Sequence, residues 1–299
     1  MEDYVDGDSL RVVQPRTSTA SGHSINCEKA RLPDDIDRRD LSPLYESFSI
    51  ENDEHGNPIF LHSSYGYIAK DFSAFYGCSN KRKYDLTPTD LRETLKCLPD
   101  DDVYPEAPFD ITKMSTTIHD KIFVKGPMLH DAFQNTGQLP QLTLGEVKVL
   151  ELLAKNPHPN IARYHGCLIE RGRIVGIAFD RLSRNLFDRV KQHDTPFDGA
   201  VCMASITSAV EYIHSLGLAH NDLNPSNIML DEADTAFIID FGSCRPEGED
   251  LITTGTHGWI DEDFTTSAQD HDYIALRKIK AWLETEGRNC VVQPDVKDF

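Results

Sequence analysis

Apolar residues are scattered for the first forty positions and then arrive in blocks of different period. The opening stretch mixes acidic, Ser/Thr and Pro residues without any repeat, and residues 33–40 are nearly all charged or Pro. Such a stretch cannot bury enough apolar surface to offset its ordering entropy, so residues 1–43 are expected to form a disordered acidic tail. From Leu44 to Tyr84 aromatic residues are frequent (Tyr45, Phe48, Phe60, Tyr65, Tyr67, Phe72, Phe75, Tyr76), with turn signals at Gly56-Asn57-Pro58 and Gly66. This reads as ordered structure. Thr87-Pro88-Thr89-Asp90 opens a short helix ending near Leu98, where Pro99 and three aspartates break the pattern, and a linker follows through Pro105 and Pro108. Residues 44–110 are therefore an aromatic-rich extension and linker.

Beyond Ile111 the punctuation becomes that of a packed α/β domain. Residues 121–124 form a short apolar strand, and Gly145 to Leu153 carries Val147, Leu150 and Leu153 on a helical period. After Asn156-Pro157-His158-Pro159 come two strands, 161–168 and 173–179, joined through Arg171-Gly172. Asp198 is placed to cap a helix whose Met203, Ile206, Val210 and Ile213 recur at three- and four-residue steps, with Gly217 as its stop. Residues 228–230 and 236–239 flank an acidic turn and predict a hairpin.

Composition narrows the function classes. The 299 residues carry 30 basic and 49 acidic side chains, a net charge of −19, and the pI is near 4.9. Nucleic-acid affinity rests largely on Lys and Arg displacing counterions, so a nucleic-acid partner is not expected. No apolar run reaches the roughly 20 residues that span a bilayer, and the N-terminus has no basic segment followed by an apolar one. A soluble cytoplasmic or nuclear protein with no membrane partner is the expectation. The seven cysteines (Cys27, Cys78, Cys97, Cys167, Cys202, Cys244, Cys290) contain no C-x-x-C pair. They fit free thiols in a reducing compartment.

The chemistry concentrates in His220-Asn221-Asp222-Leu223-Asn224-Pro225-Ser226-Asn227, followed after the hairpin by Asp240-Phe241-Gly242. A loop carboxylate, an Asn five positions later and a second Asp beyond a hairpin can converge on one point. Phosphoryl transfer needs that set: one carboxylate to orient a hydroxyl, an amide oxygen and another carboxylate to hold Mg²⁺ against ATP. On these residues the chain resembles the eukaryotic protein-kinase superfamily, from roughly 111 to 283. The resemblance implies an α+β, two-lobed fold with a small β-rich N-lobe (about 111–179) and a mainly helical, truncated C-lobe (about 183–299). It also implies Asp222 as catalytic base, Asn227 and Asp240 as metal ligands, and His220 with Phe241 in the packed spine between lobes. Lys125 resembles the lysine that grips the α- and β-phosphates, with Glu146, rather than Glu151, as its ion-pair partner. Phe179 resembles the gatekeeper, Asp180 to Leu182 the hinge that meets adenine, and Met229 the residue beneath its ring. Thr256 resembles the activation-segment threonine that bonds near the base and helps place a peptide, and Asp272 the helix aspartate that braces the catalytic loop.

The departures are equally specific. No G-x-G-x-x-G precedes Lys125, so the phosphate cover is either missing or supplied by Tyr65-Gly66-Tyr67 or by residues 116–120. Phe123 stands where the family has a small Ala against adenine. Asn221 replaces the arginine that clamps a phosphorylated activation loop, and Asn224 replaces a lysine beside the migrating phosphoryl group. Three function classes follow: a divergent Ser/Thr protein kinase using ATP and Mg²⁺, a pseudokinase acting as an interaction protein, and a small-molecule kinase. The first keeps the complete set Lys125, Glu146, Asp222, Asn227 and Asp240, and implies a protein substrate.

Overall fold

The computed structural model describes Cys27 and residues 30–115, 118–192 and 196–286. Its first unit is a four-stranded antiparallel sheet in the order β1 (Leu44–Asn52), β2 (Pro58–Ile68), β3 (Ala74–Ser79), β4 (Lys96–Cys97). Helix α1 (Pro88–Thr94) covers it, started by a capping box in which Thr87 accepts from the Asp90 N–H and Asp90 accepts from the Thr87 N–H. Tyr65, Phe75, Leu86, Leu91 and Leu95 close over this sheet, together with Ile36 and Leu41.

A short helix α2 (Asp100–Val103) leads to the second sheet. Strands β5 (Ile122–Lys125), β6 (Tyr164–Glu170) and β7 (Arg173–Asp180) pair antiparallel in the order β5-β7-β6, and α3 (Gln138–Lys155) lies between β5 and β6 in sequence. The rest is mainly helical. It runs through β8 (Arg184–Asn185), α4 (Leu186–Gln192), α5 (Gly199–Ser215), β9 (Leu218–Ala219), the hairpin β10 (Ile228–Leu230) with β11 (Ala236–Ile238), β12 (Arg245–Pro246) and α6 (Gln269–Glu286). Asp198 caps α5 by accepting from the N–H groups of Ala200 and Val201. A large core joins α3, the β5-β7-β6 sheet, α5 and α6 through residues such as Leu150, Ile177, Val210 and Ile279.

The first unit is docked onto α3 and β7 by a separate apolar patch. Ala74, Val103 and Tyr104 pack with Leu129, Phe133, Leu139 and Val175. Arg171, in the β6–β7 turn, holds both oxygens of Asp100 at 2.8 and 3.1 Å and donates to the Asp71 carbonyl. The Tyr45 hydroxyl accepts from the Asp131 N–H at 2.8 Å. At Gly66 a Cβ would stand 2.7 Å from the Leu129 Cβ, so this approach requires glycine.

Several expectations change. Residues 1–26, 28 and 29 of the expected tail lie outside the described residues, but Ile36 and Leu41 are buried and residues 38–40 form a capped turn, so order begins before residue 43. The expected linker after Pro99 contains α2, and its Val103 and Tyr104 are core residues. The third helix starts at Gln138 rather than Gly145, because Pro140 falls in its first turn, where a missing N–H costs nothing. The thiols are not all free: Cys27 and Cys97 form a disulfide, whereas Cys78, Cys167, Cys202 and Cys244 are free. Among the described residues no helix is long and apolar enough to cross a membrane.

Candidate active site

Strand period and helix face bring Lys125 and Glu146 together. Alternate residues of a strand face one side, and from β5 the Lys125 Nζ reaches both Glu146 carboxylate oxygens at 2.8 Å and the Asp240 Oδ1 at 2.9 Å. Glu151 is engaged elsewhere, accepting from Thr112 and from the Tyr164 hydroxyl. Burial opposes the Lys125 charge, but the Asp240 and Glu146 carboxylates offset it and hold the ammonium above the ordinary lysine value. Burial pushes Glu146 up, with Lys125 holding it back. Against the same burial, Lys125 keeps Asp240 below the usual range and therefore ionised. Asp240 takes a left-handed backbone (φ 60°), which Asp tolerates better than most residues, and its Oδ1 also accepts from the Gly242 N–H.

The loop after β9 supplies the second half. Asp222 Oδ1 accepts from the Thr256 N–H at 2.8 Å and from its hydroxyl at 2.7 Å, and Oδ2 accepts from Asn227 Nδ2 at 3.1 Å. Burial pushes the Asp222 carboxyl up to about 6, with the Thr256 bonds pulling against it. Asn224 is a cap before it is anything else: its Oδ1 accepts from the N–H groups of Ser226 and Asn227, while its Nδ2 donates to the Thr256 hydroxyl at 3.1 Å.

The loop is held from below. Asp272, fully buried in the first turn of α6, accepts from the backbone N–H groups of His220 and Asn221 at 2.7 and 2.8 Å, and bonds His214. His220 Nε2 donates to the Ile239 carbonyl at 3.0 Å, and its ring meets Phe241 edge-on at 5.3 Å. Asn221 is the residue whose role the sequence left unread. Buried, with φ 64°, it donates to Ala219 O, Ser243 O and Ser267 Oγ and accepts from Ala268 N–H and His271 Nδ1. One amide thus joins the loop to both ends of the segment between Asp240 and α6. The only available signal was that Asn tolerates a left-handed backbone.

Among the described residues, those expected at the hinge and beneath the adenine make no side-chain hydrogen bond to this cluster. Asp180 Oδ1 is taken by His165 Nε2 at 2.6 Å. Arg181 N–H pairs with the Lys121 carbonyl, and the Leu182 side chain packs on the large core. Met229 is half-buried on β10, opposite Phe237 on one side and Asn185 on the other. Phe179 is buried and tilted against Tyr164. Gly66 is occupied by its contact with Leu129, which leaves Tyr65-Gly66-Tyr67 unable to serve as a phosphate cover. Of residues 116–120, residues 116 and 117 lie outside the described residues. Two cavities, of about 650 and 720 Å³, open behind the hinge and between α5 and α6, away from these carboxylates.

The donor set fits a hard divalent cation. Asn227 spends its Nδ2 on Asp222, so its Oδ1 accepts no hydrogen bond among the described residues, and the same is true of Asp240 Oδ2. An amide oxygen and an ionised carboxylate oxygen suit Mg²⁺, which keeps several waters and takes few protein ligands.

The family model described as the protein kinase domain matches residues 119–275, just over half of the chain. Among curated relatives, the chain is 46% identical over 94 residues to the maternal embryonic leucine zipper kinase of Xenopus tropicalis, covering 30% of this chain and 14% of that one. It is 32% identical over 159 residues to the serine/threonine-protein kinase RAD53 of Saccharomyces cerevisiae (50% and 19%) and 31% over 121 residues to CBL-interacting protein kinase 8 of Oryza sativa (38% and 26%). The matched stretch spans a third or less of the length of the first such relatives. With its mixed sheet and helices, the chain belongs to the protein kinase family.

Proposed function

We propose that the chain is an ATP-dependent Ser/Thr protein kinase, built as two lobes from residue 111 onward, and that residues 44–110 are an extension docked on its upper lobe. The observation that carries this reading is Lys125 bridging Glu146 and Asp240 while Asp222 and Asn227 stand hydrogen-bonded to one another. Three carboxylates and a lysine held in one poorly solvated place are costly without a use. Burial of Asp222, Lys125 or Glu146 for stability alone would be better served by apolar side chains.

In this reading Asp222 accepts the proton of the substrate hydroxyl as its oxygen attacks the γ-phosphorus and the bond to the β-phosphate oxygen breaks. Thr256 holds the carboxylate in place through two bonds to Oδ1, and Asn224 fixes Thr256 in turn. Lys125 positions the α- and β-phosphates, and Glu146 positions Lys125. Asn227 and Asp240 would hold Mg²⁺, which supplies positive charge between the β- and γ-phosphates. The backbone of Asp180 to Leu182 would meet the adenine edge, with Met229 beneath its ring. With Asn224 in place of a cation, transfer is expected to be about 10²-fold slower than with one more charged donor.

A second reading, a scaffold that binds partners without transfer, is favoured by the lack of a glycine-rich hairpin ahead of β5 among the described residues. Calorimetry with Mg·ATP followed by transfer of labelled phosphate to generic protein substrates, beside Asp222→Asn, separates the two. The kinase reading expects wild-type transfer, a loss of about 10³-fold in Asp222→Asn, and nucleotide affinity within twofold. Transfer that survives Asp222→Asn removes the assigned base, and failure of the wild type to bind Mg·ATP leaves the scaffold.

A further inference from the structure

We propose that the extension is a positioning element for the Lys125–Glu146 pair, acting through residues 126–137, the stretch of chain that joins β5 to α3. The inference rests on the kinase reading of that pair and gives residues 44–110 a part in it.

The joining stretch has little structure of its own. Among the described residues its one regular element is the short turn Asp131–Phe133, yet Leu129 and Phe133 are buried. The extension meets it at successive points. A Cβ at Gly126, the residue after Lys125, would stand 3.4 Å from the Ile68 Cδ1 of β2, and Leu129 lies against Gly66 of the same strand. The His130 ring stacks on Tyr45 of β1, with centroids 4.4 Å apart and planes at 4°. The Asp131 N–H donates to the Tyr45 hydroxyl, and Asp131 Oδ2 lies 3.5 Å from His62 Nε2 on β2. Phe133 joins Ala74 of β3, Val103 and Tyr104 in one apolar cluster. Three strands of the extension thus hold the chain that runs from the lysine to the helix of its partner.

Glu146 stands where two anchors of α3 meet. The first turn belongs to the seam, because Leu139 is buried in the cluster of Ala74 and Tyr104. The second half belongs to the large core through Val147, Leu150 and Leu153. Leu139 lies two turns, about 10 Å, before Glu146. A helix is stiff over that length, so a shift of its first turn carries the carboxylate with it and opens the 2.8 Å bonds to Lys125. Attachment alone needs none of this. The Arg171–Asp100 pair already fastens the extension to the β6–β7 turn, away from the joining stretch. The contacts of residues 126–139 fall between the two partners of one ion pair, where a small displacement has a chemical effect.

The test compares Gly66→Ala, Tyr45→Phe and Ile36→Val in the full chain by Mg·ATP calorimetry. Gly66→Ala puts a methyl 2.7 Å from the Leu129 Cβ and displaces the stretch, so binding should weaken about tenfold. Tyr45→Phe removes the acceptor of the Asp131 N–H and should weaken it about threefold. Ile36→Val trims the separate core beneath α1, so stability in urea should fall while affinity stays within about twofold. Coupling is reciprocal: saturating Mg·ATP should slow hydrogen exchange at the Asp131 amide of the wild type and lose that effect in Tyr45→Phe. Should Gly66→Ala fail to fold, Tyr45→Phe and the exchange measurement decide alone. If the wild type binds Mg·ATP, the folded seam variants bind it equally well and nucleotide leaves the Asp131 amide unchanged, the extension is a stabilising prop and this inference falls while the kinase reading stands. If the wild type binds no nucleotide, the kinase reading falls and takes this inference with it.

Discussion

The docked extension and the candidate cleft hold their acidic side chains differently. In the extension, partners lower the carboxyls: Arg82 grips both oxygens of Glu46, and Lys81 and Thr87 bring Asp90 to about 2. His130 holds Asp131, beside the docking surface, well below the usual range. In the cleft, burial raises Asp222 to about 6 and lifts Glu146, while Lys125 holds Asp240 low; burial also raises Asp102 in the extension. A lowered carboxyl is one whose charge folding has stabilised; a raised one is a charge that folding tolerates at a cost. The extension's paired carboxyls are thus electrostatically settled, whereas Asp222 and Glu146 are charges that burial opposes.

The largest test of that contrast is Lys125→Met. Removing the ammonium leaves Glu146 and Asp240 facing each other unpaired, so unfolding free energy should fall by about 3–5 kcal/mol in urea titration. The loss should shrink in acid, because Glu146, raised by burial, takes up its proton and no longer needs the lysine. A loss under about 1 kcal/mol, the value of an exposed pair, would mean that the cleft is as well solvated as the extension's surface.

Asn221→Ala comes next. It removes an amide that joins the loop to both ends of the segment before α6 and leaves Ser243 O and the Ala268 N–H without that partner. Buried groups left unpaired cost about 1–3 kcal/mol in total stability here. The expected phenotype is a fall in kcat for labelled-phosphate transfer with Mg·ATP affinity unchanged, because Lys125 and Asp240 are untouched. Equal losses in both would make Asn221 a general core residue.

These two sites also mark where the sequence could and could not be read. Helix α5 was legible because Asp198 and a three-four apolar period are local signals, and the β10–β11 hairpin because its turn lies between two short apolar runs. Lys125, Glu146, Asp222, Asn227 and Asp240 could be named from motif order, and the structure joins Lys125 to Glu146 and Asp240, and Asp222 to Asn227. What escaped depends on partners distant in sequence. Ile36 and Leu41 have no period of their own and are buried only because β3 and α1 arrive beside them. Cys27 meets Cys97 across 70 positions, and the bonds of Asn221 reach 22, 46 and 50 residues away. Phe123 was read only as standing where the family has a small Ala, since strand period gives its face but not its exposure.

A smaller effect should come from Arg171→Ala, at the seam between the regions. The guanidinium makes a two-pronged pair with Asp100, but its own side chain is about one-third exposed (34%), so solvent screening reduces its worth. About 1 kcal/mol is expected from urea titration, with the Lys125–Glu146 pair undisturbed. A loss comparable to Lys125→Met would mean that the extension holds α3 in place chiefly through this one side chain.

The smallest effect expected is in acid. Asp90 has an ordinary unfolded value near 3.9 and a folded value of about 2, so its contribution is complete above pH 4 and is lost as pH falls toward 2. Asp131, also lowered, has the same sign, whereas Glu146, raised by burial, has the opposite one. Both tryptophans, Trp259 and Trp282, lie with the helical core, while Tyr45, Tyr65, Tyr67 and Tyr76 belong to the extension. Between pH 4 and 2 the near-ultraviolet tyrosine signal should therefore weaken before tryptophan emission shifts, and Asp90→Asn should flatten that early phase. Because Lys81 reaches Asp90 from a half-exposed position, added salt should flatten it too. An acid transition that strikes tryptophan first, or one insensitive to both changes, would place the pH-labile carboxyls in the cleft and reverse the contrast between the two regions.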